Sequence, residues 1–461
     1  MEVTSVIPFR SVNPSTEQII VNYNDNSYSD AEKAVEGAHQ AFRSWCQTSY
    51  SERTAILLRA AHILRKKNEE YGRLMALEMG KPLIQACAEA EKCAWVCEYY
   101  AENGEKFLSD ELIQTDATRS YISYQPSGAV LAIMPWNFPF WQVIRFAAPA
   151  LMAGNVCLLK HAPNVTGCAK AIEALFLEAG LPSAVFQVLL LQPDDVARLI
   201  GHPDISGVTL TGSTRAGSAV AGTAGKHLKK TVMELGGSDP YVILEDAELD
   251  KTVESCVTGR MINTGQSCIA AKRYIAVEKV KKQFEEMIVE KFRKITFGDP
   301  LEGNFDIGPM ARRDLRDALH AQVEKSVSAG AKLVCGGKIP EGKGYFYPAT
   351  VLSGVEKGMP AYSEETFGPV ASIITAKDEK EAIRIANDTS YGLGAAVFTR
   401  DIEKGEYIAK YMLKAGSCFV NAYVKSDPRL PFGGTKMSGY GRELSLMGIR
   451  EFVNVKTVYV K

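Results

Sequence analysis

No sign of charge dominates this chain: 53 Lys and Arg offset 54 Asp and Glu over 461 residues, a formal net charge of -1. That balance excludes a reading built on a basic nucleic-acid footprint or an acidic solvating tail. Long hydrophobic runs are missing too. The most apolar part, residues 128–154, is interrupted by Asn137, Gln142, Arg145 and three prolines, so no membrane span is expected. The opening MEVTSVIPFR has an acidic second residue and no apolar core, which predicts no export. Ten cysteines are scattered without the spacing of a small secreted framework, and no Cys/His cluster offers metal-ligand spacing. Reduced thiols in a cytoplasm are expected, with no metal, no nucleic acid and no membrane as partner. Low-complexity linkers and internal repeats are absent. Both common phosphate loops are also lacking: no complete GxGxxG follows a strand, and Ser218 and Ala219 stand where a Walker A would need Lys and Ser/Thr.

What is present begins with helices. The first hundred residues carry helical periods, with capping-box spacing at Ser29 and Glu32 and again at Ser49 and Glu52. Cys93 and Cys97 lie four apart on one such helix, where core packing is the reading. From about Tyr121 short apolar runs alternate with helical periods: GAVLAIMPW, NVCLLK, AVFQVLLL, GVTLTG, TVMEL and PYVILE, then RYIAVE, AKLVCGG, ASIITA, AAVFT and GSCFVN. This is a βαβ series, hence α/β architecture with mostly parallel sheets. Two such domains are expected, the chain passing from one to the other soon after Glu234. TDATRSYISYQ and FVNVKTVYVK alternate polar and apolar residues, as strands that bury one face on a hairpin neighbour or a partner subunit do.

Four stretches carry candidate chemistry. In VTLTGSTRAG a strand runs through a glycine-flanked turn into a helix, pointing N–H groups and a positive dipole end at an anion such as a diphosphate. In LAIMPWNFPFWQVIR, prolines 135 and 139 fix the backbone around Asn137, which suits an amide aimed at a developing oxyanion. VMELGGSDP places Glu234 at a strand end before two glycines. NTGQSCIAAKR offers Cys268 in a turn of small residues, with no base beside it. Taken singly, each also reads as ordinary structure: a plain βα turn, a turn amide, a surface carboxylate, a buried thiol.

Six motifs taken together go further. PWNFP, LTGSTRAG, ELGGSDP, GQSC, EETFGPV and PFGGTKMSGYGRE occur in the order and rough spacing of the aldehyde dehydrogenase superfamily. The chain resembles that superfamily from about Asn13 to the C-terminus, and within it the bacterial succinate-semialdehyde dehydrogenases. The resemblance implies a Rossmann-like cofactor domain (1–107 and 127–238), a catalytic domain (239–435) and a small β oligomerisation element (108–126 and 436–461), assembled as a homodimer or dimer of dimers. It implies Cys268 as nucleophile, Asn137 as oxyanion donor and Glu234 as general base. For the cofactor, NAD or NADP, it implies Trp136, Lys160, Gly212, Ser213, Glu365 and Phe367. Pro163 stands where NAD-specific members commonly carry an acid, so use of both cofactors is expected, with Lys160 and His161 available to attract a 2′-phosphate. For the distal carboxylate of a semialdehyde it implies Arg145 and Ser426. A structural ion pair is the competing reading for Arg145. Ile262 replaces a second arginine of some relatives, so glutarate semialdehyde or other aldehydes are alternatives. A non-redox cysteine acyl hydrolase and a non-catalytic binding protein are the rivals from other classes. Glu234 disfavours transfer to coenzyme A, because it equips the site for hydrolysis.

Overall fold

The structure, a computed structural model, describes residues 9–461; most of the opening stretch read for export lies outside the described residues. The alternating runs build two open sheets. The first has six strands in the order Gly439–Tyr440, Lys230–Glu234, Ile205–Thr211, Ala129–Met134, Val156–His161, Phe186–Val188, parallel except for the first pair. The chain enters at Ala129–Met134, moves outward through the next two strands, then crosses to Ile205–Thr211 on the other side. Connections from these two neighbours leave in opposite directions, and the crevice at their C-terminal ends is the place where such sheets bind ligands. Trp136 and Asn137 follow one of these strands, Gly212 and Ser213 the other.

The second sheet has seven strands in the order Lys332–Cys335, Thr350–Ser353, Val370–Ala376, Ala271–Val277, Asp239–Ile243, Gly394–Phe398, Ser417–Val420, parallel except for the first pair. Ala271–Val277 and Asp239–Ile243 are buried along their whole length, as expected of a sheet covered on both faces. The two segments read as pairing strands pair with each other: Val453–Val460 runs antiparallel to Arg119–Pro126, with Glu111–Leu112 beyond. Gly439–Tyr440, grouped by the sequence with that small element, instead bonds to Lys230–Glu234. At Gly439 the two backbones come so close that a Cβ would lie 1.9 Å from the Met233 carbonyl.

The helix expected to start at Ser29 starts two residues earlier. Ser27 is its cap and Asp30 closes the box, a second pair at the same spacing, while the Ser49–Glu52 box forms as read. Helix Leu83–Leu108 buries Cys93 and Cys97 and packs on Tyr50–Lys66 and on Trp141–Met152. Among the described residues no helix is long and apolar enough to cross a membrane.

Candidate active site

Cys268 lies between the turn Ile262–Gly265 and strand Ala271–Val277. Asn263, Thr264 and Gly265 have φ of 56°, 58° and 71° in succession, a left-handed run that costs non-glycine residues roughly 1–2 kcal/mol each. Buried side chains hold it. The Arg260 guanidinium donates to the carbonyls of Gly265 (2.8 Å), Thr366 (3.1 Å) and Gly368. The Asn263 amide donates to the Asn137 carbonyl at 2.6 Å, and Gln266 Oε1 accepts the Ala311 N–H at 2.9 Å. The turn so fixed presents Cys268 to a cavity of about 520 Å³.

Asn137 is buried beside this turn. Its Nδ2 donates to the Gln266 carbonyl at 3.0 Å while its Oδ1 accepts from Gln142 Nε2 at 3.1 Å. Gln142 thus fixes which way the amide points, and a primary amide keeps a second N–H for an oxyanion. Burial pushes the Cys268 thiol up to about 12, against the opposing positive charges of Lys272 and Arg145. At rest it is a thiol and needs a base to attack. Glu234 ends strand Lys230–Glu234, almost fully buried, and among the described residues neither carboxyl oxygen has a hydrogen-bond partner. Burial, and then the like charge of Glu443, holds its carboxyl well above the ordinary range. It neighbours Gly433, Glu443 and Arg145 rather than lining the cavity.

At the crevice of the six-stranded sheet, Ser213 caps helix Thr214–Lys226, accepting from the Ala216 N–H, with Gly212 before it. Lys160, near the end of strand Val156–His161, has no carboxylate partner among the described residues, and burial pushes its ammonium down to about 8. A poorly solvated cation and a helix N-terminus at the same edge of one sheet suit the ribose and phosphates of a dinucleotide. His161 does not add to that charge. Its ring is buried between the Pro139 and Met134 carbonyls and burial pushes it down to about 4, so it is neutral and turned inward. Trp136 and Phe367 meet edge to face, ring centroids 5.8 Å apart. Glu365 accepts the Gly237 N–H at 3.0 Å and stands 3.3 Å from the Lys272 ammonium.

The cavity at Cys268 is also lined by Phe138, Trp141, Arg145, Ser426 and Phe432. Arg145 Nε lies 2.5 Å from Glu443 Oε2 and the guanidinium stacks 4.7 Å from the Phe432 ring centre. Both readings of this arginine are therefore present: it faces the cavity, and it makes a buried ion pair.

The model of the Aldehyde dehydrogenase family matches residues 3–458. The chain belongs to the aldehyde dehydrogenase family. Among its relatives, this aldehyde dehydrogenase is 47% identical over 450 residues to a probable succinate-semialdehyde dehydrogenase [NADP(+)] of Synechocystis, covering 98% of this chain and 99% of that one. It is 45% identical over 459 residues to the succinate semialdehyde dehydrogenase [NAD(P)+] Sad of Escherichia coli, covering 100% and 99%. The solved succinic semialdehyde dehydrogenase of Streptococcus pyogenes in complex with NADP+ superposes with a TM-score of 0.96 at 36% identity, over 98% and 99% of the two chains.

Several residues that build this aldehyde dehydrogenase's site carried no sequence signal. Arg260, Gln142 and Lys272 sit inside or beside apolar runs and act through partners distant in the chain. Glu89, within helix Leu83–Leu108, accepts the N–H groups of Phe140 and Trp141 at 2.9 Å each, so it anchors the start of helix Trp141–Met152. A buried-side charge on a helical period was the available clue, and it does not say which amide lies opposite.

Proposed function

We propose that this aldehyde dehydrogenase oxidises succinate semialdehyde to succinate with NAD or NADP. The observation that carries the reading is one cavity that holds both a nucleophile for an aldehyde, Cys268, and cationic and hydroxyl groups for a carboxylate, Arg145, Lys92 and Ser426. The relatives' names point the same way.

Cys268 Sγ bonds to the aldehyde carbon as its proton passes to the carboxylate form of Glu234. The carbonyl oxygen becomes an oxyanion that the free Asn137 N–H and the Cys268 backbone N–H receive. The bound dinucleotide supplies the hydride acceptor that converts this cysteine adduct to a thioester. Glu234, once deprotonated, takes a proton from the water that attacks the thioester carbon, releasing the acid and restoring the thiol. The Ser213 helix start would hold the diphosphate, Lys160 the adenosine ribose, and Glu365 with Phe367 the nicotinamide end. Pro163 leaves no acid to repel a 2′-phosphate, so both cofactors serve. Glutarate semialdehyde is the second reading, favoured by Ile262 on the cavity wall where a second arginine would shorten the site.

In this reading the six-stranded sheet serves the cofactor, and the seven-stranded sheet carries the Cys268 loop. The small sheet joins subunits into a dimer or dimer of dimers, in the cytoplasm. What supports the last role is edge strand Val453–Val460, which leaves Val455, Tyr459 and Val460 exposed.

The test is nicotinamide absorbance with purified protein, succinate semialdehyde or butanal, and NAD or NADP, beside Cys268→Ala. Turnover of the semialdehyde with either cofactor, lost in the variant, is expected. Turnover with NAD alone overturns the dual-cofactor reading. No turnover of any aldehyde moves the assignment to a cysteine acyl hydrolase.

A further inference from the structure

Five cationic side chains line the Cys268 cavity: Lys81, Lys92, Arg145, Lys425 and Arg429. Three are already opposed by carboxylates: Lys81 by Glu89, Arg145 by Glu443, and Arg429 by Asp427 at 2.7 Å. Lys425 is exposed to solvent. Lys92 differs from all four. It is half-buried on helix Leu83–Leu108, and among the described residues it makes no ion pair. Its ammonium donates to Ser426 Oγ at 2.8 Å and stands 4.3 Å from the Trp141 ring centre. A hydroxyl and an aromatic face accommodate a cation without cancelling its charge. Burial, followed by the like charge of Arg145, pushes this ammonium down to about 8, as befits a cation short of counter-charge.

We propose that Lys92 is a further counter-charge, beside Arg145, for the distal carboxylate of the substrate. Arg145 faces the same cavity, but Glu443 already offsets part of its charge. Ser426 Oγ accepts from Lys92, which leaves its own O–H free for the incoming carboxylate. An ammonium on a flexible four-carbon stem meets a carboxylate as a point charge, so the same residue serves acids of more than one chain length. The inference rests on the reading that the substrate is a semialdehyde with a distal carboxylate.

Steady-state KM and kcat with succinate semialdehyde and with butanal test it, for the wild type, Lys92→Met and Lys92→Arg, with thermal unfolding as a check on folding. Lys92→Met is expected to raise KM for the semialdehyde on the order of 10- to 100-fold more than KM for butanal, the scale of a lost charge-assisted hydrogen bond. Lys92→Arg is expected to recover most of the difference. Lys92→Gln carries the same comparison if the Met variant does not fold. Equal effects on the two aldehydes, or no effect on KM, overturn the assignment. A wild type without preference for the semialdehyde over butanal instead sinks the substrate reading beneath it.

Discussion

The turn after strand Ile205–Thr211 closes with its own neighbours: Ser213 Oγ accepts the Ala216 N–H at 3.2 Å, and Gly212 N–H donates to the Glu234 carbonyl at 3.0 Å. The turn before strand Ala271–Val277 has local bonds too, Gln266 N–H to the Asn263 carbonyl at 3.0 Å and the Asn263 amide to the Gln266 carbonyl at 3.1 Å, but it is held by more than these. Its three left-handed residues are tied down by the Arg260 guanidinium, the Asn137 carbonyl and the Gly308 N–H, groups from the helix before it and from two distant parts of the chain. A surface that binds an anion needs only regular βα geometry and free N–H groups. A turn that holds a nucleophile stores unfavourable backbone, and buried side chains must over-determine it.

Five substitutions or conditions break or sharpen that comparison, the larger effects first. Asn137→Ala removes an oxyanion donor and a neighbour of the strained turn together, and kcat is expected to fall about 10²–10³-fold in steady-state assays. Arg260→Ala leaves three buried carbonyls without their donor, and urea unfolding is expected to register a loss of about 3–5 kcal/mol. Raising the pH on the acid side of the profile is expected to raise kcat about tenfold per unit when thioester hydrolysis limits. The sign follows because burial and then Glu443 raise the Glu234 carboxyl, and only its deprotonated form can take a proton from water. Glu234→Gln flattens that limb. Ser213→Ala, at the turn that closes locally, is expected to cost only about 1 kcal/mol of stability and to leave kcat nearly unchanged, since one cap hydrogen bond is lost. A loss at Ser213 as large as that at Arg260 would erase the distinction between the two turns.

The same distinction explains what the sequence made legible. Strands such as Ile205–Thr211 and Val370–Ala376 announce themselves as apolar runs, and the Ser49–Glu52 cap by its spacing, because the forces that form them are local. Thr350–Ser353 was missed: four residues ending in a serine carry too little pattern to stand out from a loop. At the amino-terminal helix two serines satisfied the capping spacing, and only the packed structure selects Ser27. Cys268, Asn137, Arg145 and the Ser213 turn were found as candidates. The groups that orient them, Gln142, Arg260 and Glu89, were not, since a polar residue inside an apolar run says that it has a buried partner but not where that partner lies. His161 shows the converse error. A histidine next to Lys160 in sequence points to the other side of its strand, and there it is sealed between two carbonyls.

Lys272 is buried almost completely, and its ammonium donates to the carbonyls of Ser267 (3.0 Å) and Cys268 (2.6 Å) while standing 3.3 Å from Glu365. One cation therefore clasps the backbone of the sulfur-bearing residue and the acid that faces the crevice. For anyone redesigning the enzyme these are a single component. Changes at Glu365 and changes in the Ser267–Cys268 turn will combine non-additively, because each alters the tether the other depends on.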